Sequence, residues 1–244
     1  MSILPYALGQ KIRQACRPIV RQLMPSSCLL CGSDSIDEVI CDGCMEDLPR
    51  LPAQHCPQCA EPTTFGERCG SCLATPPHFD DTTAVFKYEF PADRIIHSLK
   101  YGHKLAIAKW AAHQLAQRLQ GRTFDLIVPL PLHPHRLRQR GFNQSAEIAR
   151  HLKKHLKIPV DRSTLRRHIA TPPQAELPLK ERHRNVRNAF ECVRQLQGEK
   201  VLLIDDVMTS GATVSECARM LRMHGASQVS VGVLARALKH AIRD

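Results

Sequence analysis

Residues 201–213 read VLLIDDVMTSGAT, and this stretch decides the class of fold. Four apolar residues lead directly into Asp205 and Asp206, and a loop of hydroxyl side chains and glycine follows. In an open parallel sheet, ligands bind just outside the carboxyl ends of the strands. We therefore expect a strand at 201–204, with both acids exposed at its end, where they add little to stability.

The loop after the acids has the composition of an anion-binding loop. It leads into a helix predicted for 214–224, whose N-terminal amides and dipole favour negative charge. Thr209, Ser210 and Thr213 add hydroxyl donors, and Gly211 allows the backbone to approach a ligand closely. The carboxylates cannot bind the same phosphate, because like charges repel, but they can accept hydrogen bonds from a vicinal diol. A ribose 5-phosphate unit carries both groups.

The spacing of this loop matches neither a P-loop nor a dinucleotide-binding G-x-G-x-x-G pattern. The alternative is an ordinary strand–turn–helix connection capped by a threonine. That interpretation leaves two adjacent acids at the edge of a sheet unexplained.

Hydrophobic patterns elsewhere predict an α/β domain. Apolar strands without alternation, interspersed with helices, indicate a parallel sheet covered on both faces. The predicted strands lie at 82–88, 124–131 and 228–235, and the predicted helices at 92–101, 104–119, 143–156 and 177–190.

Eight cysteines form four C-x-x-C pairs near the N-terminus. The 13-residue spacing from Cys28 to Cys41 recurs from Cys56 to Cys69, 28 residues further on. Two such turns complete a tetrahedral zinc site, and four thiolates leave no open position, so each metal is structural. The predicted ligands of two Zn²⁺ ions are Cys28, Cys31, Cys41, Cys44, Cys56, Cys59, Cys69 and Cys72.

Other uses of these cysteines are less consistent with the sequence. Disulfides are unexpected without an export signal, and a redox C-x-x-C occurs singly in a βαβ setting. An iron–sulfur cluster also takes four cysteines, but duplicated knuckles are more typical of zinc ribbons. Sequential pairing of the knuckles is the simplest arrangement, and interleaved pairing stays open.

Composition indicates a globular chain with one strongly basic stretch. Hydrophobic residues make up 43% and charged residues 23% of the 244, and no run of 18 uncharged apolar residues occurs. Residues 1–80 hold 6 basic and 9 acidic side chains, a net of −3, whereas residues 133–187 hold 14 basic and 4 acidic, a net of +10. This concentration favours a phosphate-bearing partner over a merely solvated face.

The N-terminal residues 1–24 predict an amphipathic helix. Leu8, Ile12, Ile19 and Leu23 share one helical face, and four cations interrupt the segment, so it lacks the apolar core of a signal peptide. A cytoplasmic protein is expected. The helix suits a membrane surface, the groove of a partner, or packing on the chain's own zinc domain.

The motif at 201–213 resembles the phosphoribosyl pyrophosphate (PRPP) signature of type I phosphoribosyltransferases. Over nearly the whole chain, the order of features is similar to the ComF family, bacterial proteins of competence and DNA uptake. The features that match are the cysteine knuckles, HSLKYGHKL (97–105), VPLPLHPHRLRQRGFNQS (128–145) and RHRNVRNAF (182–190).

The resemblance implies a fold and a ligand site. The fold is a type I phosphoribosyltransferase-like parallel sheet flanked by helices at 81–244, preceded by a small double zinc-ribbon domain at 25–75. The acids would hold the ribose hydroxyls, and the loop at 209–213 would hold the 5-phosphate. The segment after LIVPLP would be a pyrophosphate loop, whose arginines hold the pyrophosphate with Mg²⁺. The implied PRPP site comprises Lys100, Arg136, Arg138, Arg140, Asp205, Asp206, Val207, Met208, Thr209, Ser210, Gly211, Ala212 and Thr213, with Asn143, Gln144, Arg182 and Asn185 as wall residues.

Three functions remain open at this point. The first, favoured by the resemblance, is a DNA-uptake factor that binds PRPP and handles single-stranded DNA at the inner face of the inner membrane. Its implied partners are a helicase-like protein of the ComFA or PriA class and a membrane channel, and its predicted DNA contacts are Lys153, Lys154 and Lys157. The alternatives are an active phosphoribosyltransferase of nucleotide salvage and a PRPP-sensing regulator without catalysis.

Overall fold

The computed structural model describes residues 26–35, 39–169 and 186–238. The chain divides into two compact units, Met1–Asp47 and Leu48–Asp244. The described part of the first unit holds one small antiparallel sheet and one short helix: β1 Ser26–Ser27, β2 Asp34–Ser35 and α1 Asp42–Glu46.

The second unit alternates strands and helices, as the sequence predicts. Its helices are α2 Gly70–Ala74, α3 Ala92–Tyr101, α4 Ala106–Arg118, α5 Pro134–Arg140, α6 Gln144–Leu156 and α7 Ala212–Met223. Its strands are β3 Asp81–Lys87, β4 Leu126–Pro129, β5 Leu165–Arg167, β6 Phe190–Cys192, β7 Lys200–Met208 and β8 Gln228–Arg236.

Four strands form one parallel sheet in the order β3-β8-β7-β4. The predicted parallel sheet is therefore confirmed. Strand β7 lies inside the sheet and pairs with β8 along its whole length, from Lys200 opposite Gln228 to Met208 opposite Arg236. Strands β5 and β6 form a separate antiparallel pair.

Helices cover both faces of this sheet. On one face, Val214, Cys217 and Leu221 of α7 join a buried cluster with alternate residues of β4, β7 and β8. Helix α4 contacts β3 and β8, and helix α6 contacts β4 and β7. Burial on both sides explains why the strands read as continuous apolar runs without alternation.

Strand β7 continues beyond the range that its apolar run predicts. The predicted strand ended at residue 204, but pairing with β8 continues to Met208. The reason is that backbone hydrogen bonds to β8 do not depend on side-chain polarity, so the two acids can remain in the strand. The site therefore begins inside the sheet and not beyond it.

Two predicted segments lie wholly or partly outside the described residues. The amphipathic helix at 1–24 does so entirely, and so do Arg182 and Asn185. The helix predicted at 177–190 does not extend to its last residue, because Phe190 begins β6 and pairs with Arg167. None of the helices in the described parts of the chain is long and apolar enough to cross a membrane.

The second group of cysteines belongs to the same compact unit as the sheet. The Thr82 amide donates to the Pro57 carbonyl at 3.2 Å, and the Thr82 hydroxyl donates to the Gln58 carbonyl at 2.7 Å. The Gln58 side chain in turn donates to the Phe79 carbonyl at 3.0 Å. These bonds attach the segment to β3, and the domain division at 25–75 and 81–244 stays a prediction.

Candidate functional site

The two acids of β7 are buried rather than exposed. Asp205 and Asp206 lie three and two residues before the end of the strand, with exposed fractions of 8% and 3%. The expectation that they are exposed groups of little consequence for stability is wrong. Buried carboxylates are destabilising unless cations or hydrogen-bond donors compensate them. The neighbouring elements supply such groups.

Lys100 compensates the second acid. Its Nζ atom lies 2.8 Å from Oδ2 of Asp206, at the end of helix α3. Burial by itself would raise the pKa of Asp206, but the charge and hydrogen bond of Lys100 outweigh it and lower that pKa. Burial would likewise lower the pKa of Lys100, and Asp206 raises it instead. Both groups are therefore charged at neutral pH.

Asp205 has a different environment. The Ser145 hydroxyl donates to Asp205 Oδ1 at 2.9 Å, and the Asp206 amide donates to the same oxygen at 2.9 Å. Burial and the charge of Asp206 raise the pKa of Asp205 to about 8. One acid is therefore ionised and the other is predominantly protonated near pH 7, so the pair carries about one negative charge, which Lys100 balances.

The motif RGFNQS at 140–145 connects helix α6 to the acids. The Asn143 side chain caps α6 by accepting from the amides of Ser145 and Ala146, and it donates to the Leu130 carbonyl at 2.9 Å. Gln144 accepts from Arg140 at 2.8 Å, and its side chain helps to lower the pKa of Asp206. Ser145 was not among the predicted site residues, although it is the last residue of the matching stretch VPLPLHPHRLRQRGFNQS.

The predicted phosphate loop lies where β7 ends and α7 begins. Val207 and Met208 are still in the strand, and Ala212 is the first residue of the helix. Gly211 has a φ of +80°, a conformation that disfavours side chains. The Ser210 hydroxyl accepts from the Ala212 amide at 3.3 Å.

Thr209, Ser210 and Thr213 are half-buried, and the hydroxyl groups of Thr209 and Thr213 have no hydrogen-bond partner among the described residues. The loop therefore has free donors beside the N-terminus of a 12-residue helix.

The segment at 134–140 is a helix, α5, rather than the predicted loop. Pro134 stands in its first turn, where a missing N–H costs no hydrogen bond. Gly141 ends the helix with a φ of +78°. A helix therefore carries the three candidate pyrophosphate contacts, Arg136, Arg138 and Arg140.

Helical spacing separates these three arginines. Residues two apart point about 200° apart around a helix axis. Arg138 is accordingly exposed, whereas Arg136 and Arg140 are half-buried. The Arg140 guanidinium lies over the Tyr101 ring at 5.1 Å. The structure thus joins Arg140 to the cluster around the acids and leaves Arg138 at the surface.

The eight knuckle cysteines form two groups of four, and the sequential pairing is the one observed. The first group contains Cys28 and Cys41, and the second contains Cys56 and Cys69. Within each group the four sulfur atoms lie within 4.8 Å of one another. Helices α1 and α2 begin directly after the third cysteine of each group, so helix N-termini face the thiolates.

Ionisation of the thiols fits a bound cation. Burial opposes ionisation of Cys28, but backbone amides lower its pKa to about 6, and the same balance lowers the pKa of Cys56 to about 7. Hydrogen bonds from Cys31 and Cys41 raise the pKa of Cys44 to about 12. Four adjacent thiols therefore need a divalent cation to be thiolates together, and two Cys₄ sites fit structural zinc.

The candidate DNA contacts lie at the end of α6. Lys153, Lys154 and Lys157 are exposed, and Lys157 caps the helix with a φ of +59°. Helix α4 packs against α6, and the rings of His113 and His155 lie 5.6 Å apart. Burial and nearby cations, among them Lys109 of α4, lower the pKa values of His151 and His155, so the basic surface extends onto α4.

Family comparisons agree with both parts of this architecture. A double zinc ribbon domain matches residues 19–73, and a phosphoribosyl transferase domain matches residues 103–244. The fold and the site thus define a protein with a phosphoribosyltransferase domain behind a double zinc ribbon. Among solved structures, adenine phosphoribosyltransferase from Thermoanaerobacter pseudethanolicus is 21% identical, with a TM-score of 0.37 over 55% of this chain and 71% of that chain.

The chain belongs to the ComF family. It is 36% identical over 207 residues to the DNA utilization protein YhgH of Escherichia coli K12, covering 82% of this chain and 91% of that protein. It is 31% identical to competence protein F of Haemophilus influenzae, with 81% and 90% covered. Competence protein ComFC of Streptococcus pneumoniae is 25% identical, with 86% and 93% covered.

Metal removal tests the two Cys₄ sites. Because metal binding contributes folding energy to small ribbons, chelation should unfold residues 28–72 and leave the parallel sheet in place. Elemental analysis should give two zinc ions per chain, and hydrogen exchange should locate the unfolding. A single zinc, or iron with visible absorption, would contradict the assignment.

Replacing Asp205 with Asn tests the protonation of the buried acid. The raised pKa of Asp205 means that the folded chain keeps a proton which the unfolded chain loses above about pH 4. Wild-type stability therefore falls as the pH rises towards 8, and this contribution is absent from Asp205→Asn. Urea denaturation should show the variant gaining stability relative to wild type between about pH 5 and pH 8.

The exposed Asp42 provides the control for that experiment. Asp42→Asn should show no such gain over the same range. A constant difference between Asp205→Asn and wild type would mean that Asp205 is ionised in the folded protein.

Proposed function

We propose that this protein binds PRPP through its phosphoribosyltransferase domain and handles incoming single-stranded DNA at the cytoplasmic side of the inner membrane. The observation that carries the PRPP part is the arrangement within one strand–loop–helix segment. Asp205 and Asp206 lie near the end of β7, and a loop with free donors begins after Met208, two residues later.

The two halves of this segment suit different parts of one ligand. Carboxylate oxygens accept hydrogen bonds from the 2- and 3-hydroxyls of ribose. The amides and hydroxyls of Thr209–Thr213 surround the 5-phosphate at the start of α7. The acids bind the diol, because its hydroxyl groups donate hydrogen bonds. The loop binds the phosphate, because the phosphate oxygens accept them.

Charge balance around the acids favours a polyanionic ligand. Lys100 neutralises Asp206, and Asp205 holds a proton near neutral pH, so the acids do not repel pyrophosphate strongly. Arg140 supplies a further cation through Gln144. Carboxylate oxygens are ligands that Mg²⁺ accepts, and this ion would accompany the pyrophosphate, held largely through its oxygens and water.

Replacing both acids with Asn separates the two halves of the site. Asn keeps the volume, which matters because these acids are buried. Loss of the hydrogen bonds that the two acids offer the ribose, one of them charge-assisted, should weaken PRPP binding at least about a hundredfold, and inorganic phosphate should bind as in wild type. Calorimetry with PRPP, AMP and phosphate, with and without Mg²⁺, measures both.

The loop supplies the reciprocal control. Thr209→Val with Ser210→Ala should weaken both phosphate and PRPP. Normal PRPP binding by the Asp205→Asn/Asp206→Asn variant would contradict the proposed ribose site. Turnover of PRPP with a nucleobase would indicate an active phosphoribosyltransferase, and PRPP-dependent DNA binding without turnover would indicate a sensor.

The DNA part of the proposal rests on family membership and on the basic surface of α4 and α6. The relatives are named for DNA utilization and competence. Burial and the cations Arg150 and Lys154 lower the pKa of His151, which shows how closely positive charge is packed there. A partner with regularly spaced phosphates would relieve this repulsion. We place the single strand on this surface and the zinc ribbons, with helicase-like and channel partners at the membrane.

Charge reversal of Lys153, Lys154 and Lys157 tests this DNA surface. Few aromatic residues are available in the basic stretch, so electrostatic contacts should dominate and affinity should lack sequence preference. The log–log salt slope should be about −0.7 per phosphate contacted, and the triple variant should flatten it. Fluorescence anisotropy with a labelled oligonucleotide over a salt series measures the slope.

PRPP binding by the lysine variant is the internal control and should not change, because these lysines are not part of the proposed PRPP site. Charge reversal of Arg136 and Arg140 should reduce both activities. Wild-type DNA binding by the lysine variant, or a salt-insensitive affinity, would move the DNA site to the zinc ribbons.

A further inference from the structure

Arg236 is a buried cation at the end of β8, and its guanidinium joins two parts of the second unit. Only 2% of the residue is exposed. Arg236 is not among the residues of the predicted PRPP site. Arginine is rarely buried without a specific set of acceptors, so each N–H group needs an identified partner.

One side of the guanidinium binds the start of the phosphate loop. Nη1 donates to the Met208 carbonyl at 3.2 Å and to the carbonyls of Thr209 and Ala237. A trans peptide is planar, with its C=O and N–H on opposite sides. The Met208 carbonyl also accepts from the Ala237 amide at 3.0 Å, so β8 fixes it as well. The Thr209 carbonyl is held by Arg236, which turns the Ser210 amide away from the guanidinium. Arg236 thus sets the direction of the Ser210 amide in the phosphate loop.

The other side of the guanidinium binds the second metal knuckle. Nε donates to the carbonyl of Cys59 at 2.8 Å, and Nη2 pairs with Glu61 Oε2 at 3.0 Å. Cys59 is a member of the second Cys₄ group. The Glu61 carbonyl accepts from the Cys56 amide at 2.7 Å, which closes the knuckle on itself. The position of the guanidinium therefore depends on the fold of this knuckle.

The second knuckle and the loop are not closely packed against each other, so packing alone does not connect them. A cavity of about 420 Å³ lies between the second knuckle and the loop, with Cys72, Phe79, Met208 and Gly211 among its lining residues. A loop beside such a space can change its backbone orientation at little steric cost. The Ala237 amide restrains the Met208 carbonyl, and the hydrogen bond from Arg236 restrains the Thr209 carbonyl one residue further into the loop.

We propose that Arg236 is a positioning residue that makes phosphate binding by the loop depend on metal in the second Cys₄ site. Metal orders the knuckle, the knuckle fixes Arg236 through Cys59 and Glu61, and Arg236 orients the Ser210 amide through the Thr209 carbonyl. This inference rests on the proposed function, because it takes the loop as a phosphate site. The first Cys₄ site belongs to the other compact unit and serves as its matched control.

Paired cysteine variants of the full chain test the dependence on each metal. Cys69→Ser/Cys72→Ser removes the last two ligands of the second site, and Cys41→Ser/Cys44→Ser removes the equivalent two of the first. Each variant should retain one zinc. The second-site variant should bind ribose 5-phosphate at least about tenfold more weakly in calorimetry, because charge-assisted bonds are lost, and the first-site variant should bind normally.

Variants that keep both metals test Arg236 itself. Arg236→Lys cannot reach all of these acceptors, and Glu61→Gln removes the charge of the knuckle's acid. Both should retain two zinc ions and lose ribose 5-phosphate affinity, whereas a merely structural role would lower stability and leave affinity unchanged. These two variants test the role of Arg236 even if the second-site cysteine variant does not fold.

Thermodynamic linkage between the two sites provides a third test, because a merely structural role of Arg236 would not make zinc affinity depend on the ligand. If metal strengthens ligand binding by some factor, the ligand must strengthen metal binding by the same factor. In equilibrium competition with a chromogenic chelator, ribose 5-phosphate should raise the zinc affinity of the second site in wild type. It should not do so in Arg236→Lys, which also controls for direct chelation by the ligand.

The outcomes separate the two proposals. Equal affinity losses in both cysteine variants, or unchanged affinity in the second-site variant and in Arg236→Lys, would overturn the role of Arg236 and leave the phosphate site intact. A wild-type chain that binds neither ribose 5-phosphate nor inorganic phosphate would overturn the proposed function, and the inference would fail with it.

Discussion

Burial of two adjacent carboxylates in the interior strand β7 is the constraint on which the site depends. Neither acid could remain there as an isolated charge, because desolvation would outweigh the gain from strand pairing. Lys100 reaches Asp206 from helix α3, and Ser145 reaches Asp205 from the first turn of α6. Elements far apart in the chain are thus held together near the carboxyl end of β7. The same contacts leave the pair with about one negative charge, which Lys100 balances.

A second buried ionic group performs a comparable task on the other side of the loop. Arg236 and Glu61 form an ion pair that is almost fully buried, and the remaining N–H groups of the guanidinium end on backbone carbonyls. An ion pair of this kind adds little net stability compared with apolar packing. Its contribution is directional, because a planar guanidinium fixes several acceptors at defined angles. The second knuckle is therefore joined to the loop at 209–213 through orientation and not only through packing.

The two Cys₄ groups are alike in sequence but differ in their surroundings. Each has two knuckles and a short helix that begins after its third cysteine. The second group is bonded to β3 through Pro57 and Gln58 and belongs to the compact unit of the sheet. Duplication of the cysteine pattern thus does not imply equal roles. Bonds from the intervening residues, rather than the cysteines, decide which structure each metal supports.

Much of the fold and of the ligand set was determined by the sequence itself. The cysteine spacing predicted two four-sulfur sites, because metal geometry depends on local turns, and unbroken apolar runs predicted the parallel sheet, because burial on both faces removes alternation. The motif at 201–213 located the acids and the loop. Only the tertiary structure decided that the acids are buried, that Ser145 and Arg236 contact the site, and that residues 134–140 form a helix which directs Arg138 away from it. Those features depend on residues up to 177 positions apart meeting at the end of one sheet, as Arg236 and Cys59 do. No local pattern in the chain encodes such a distance.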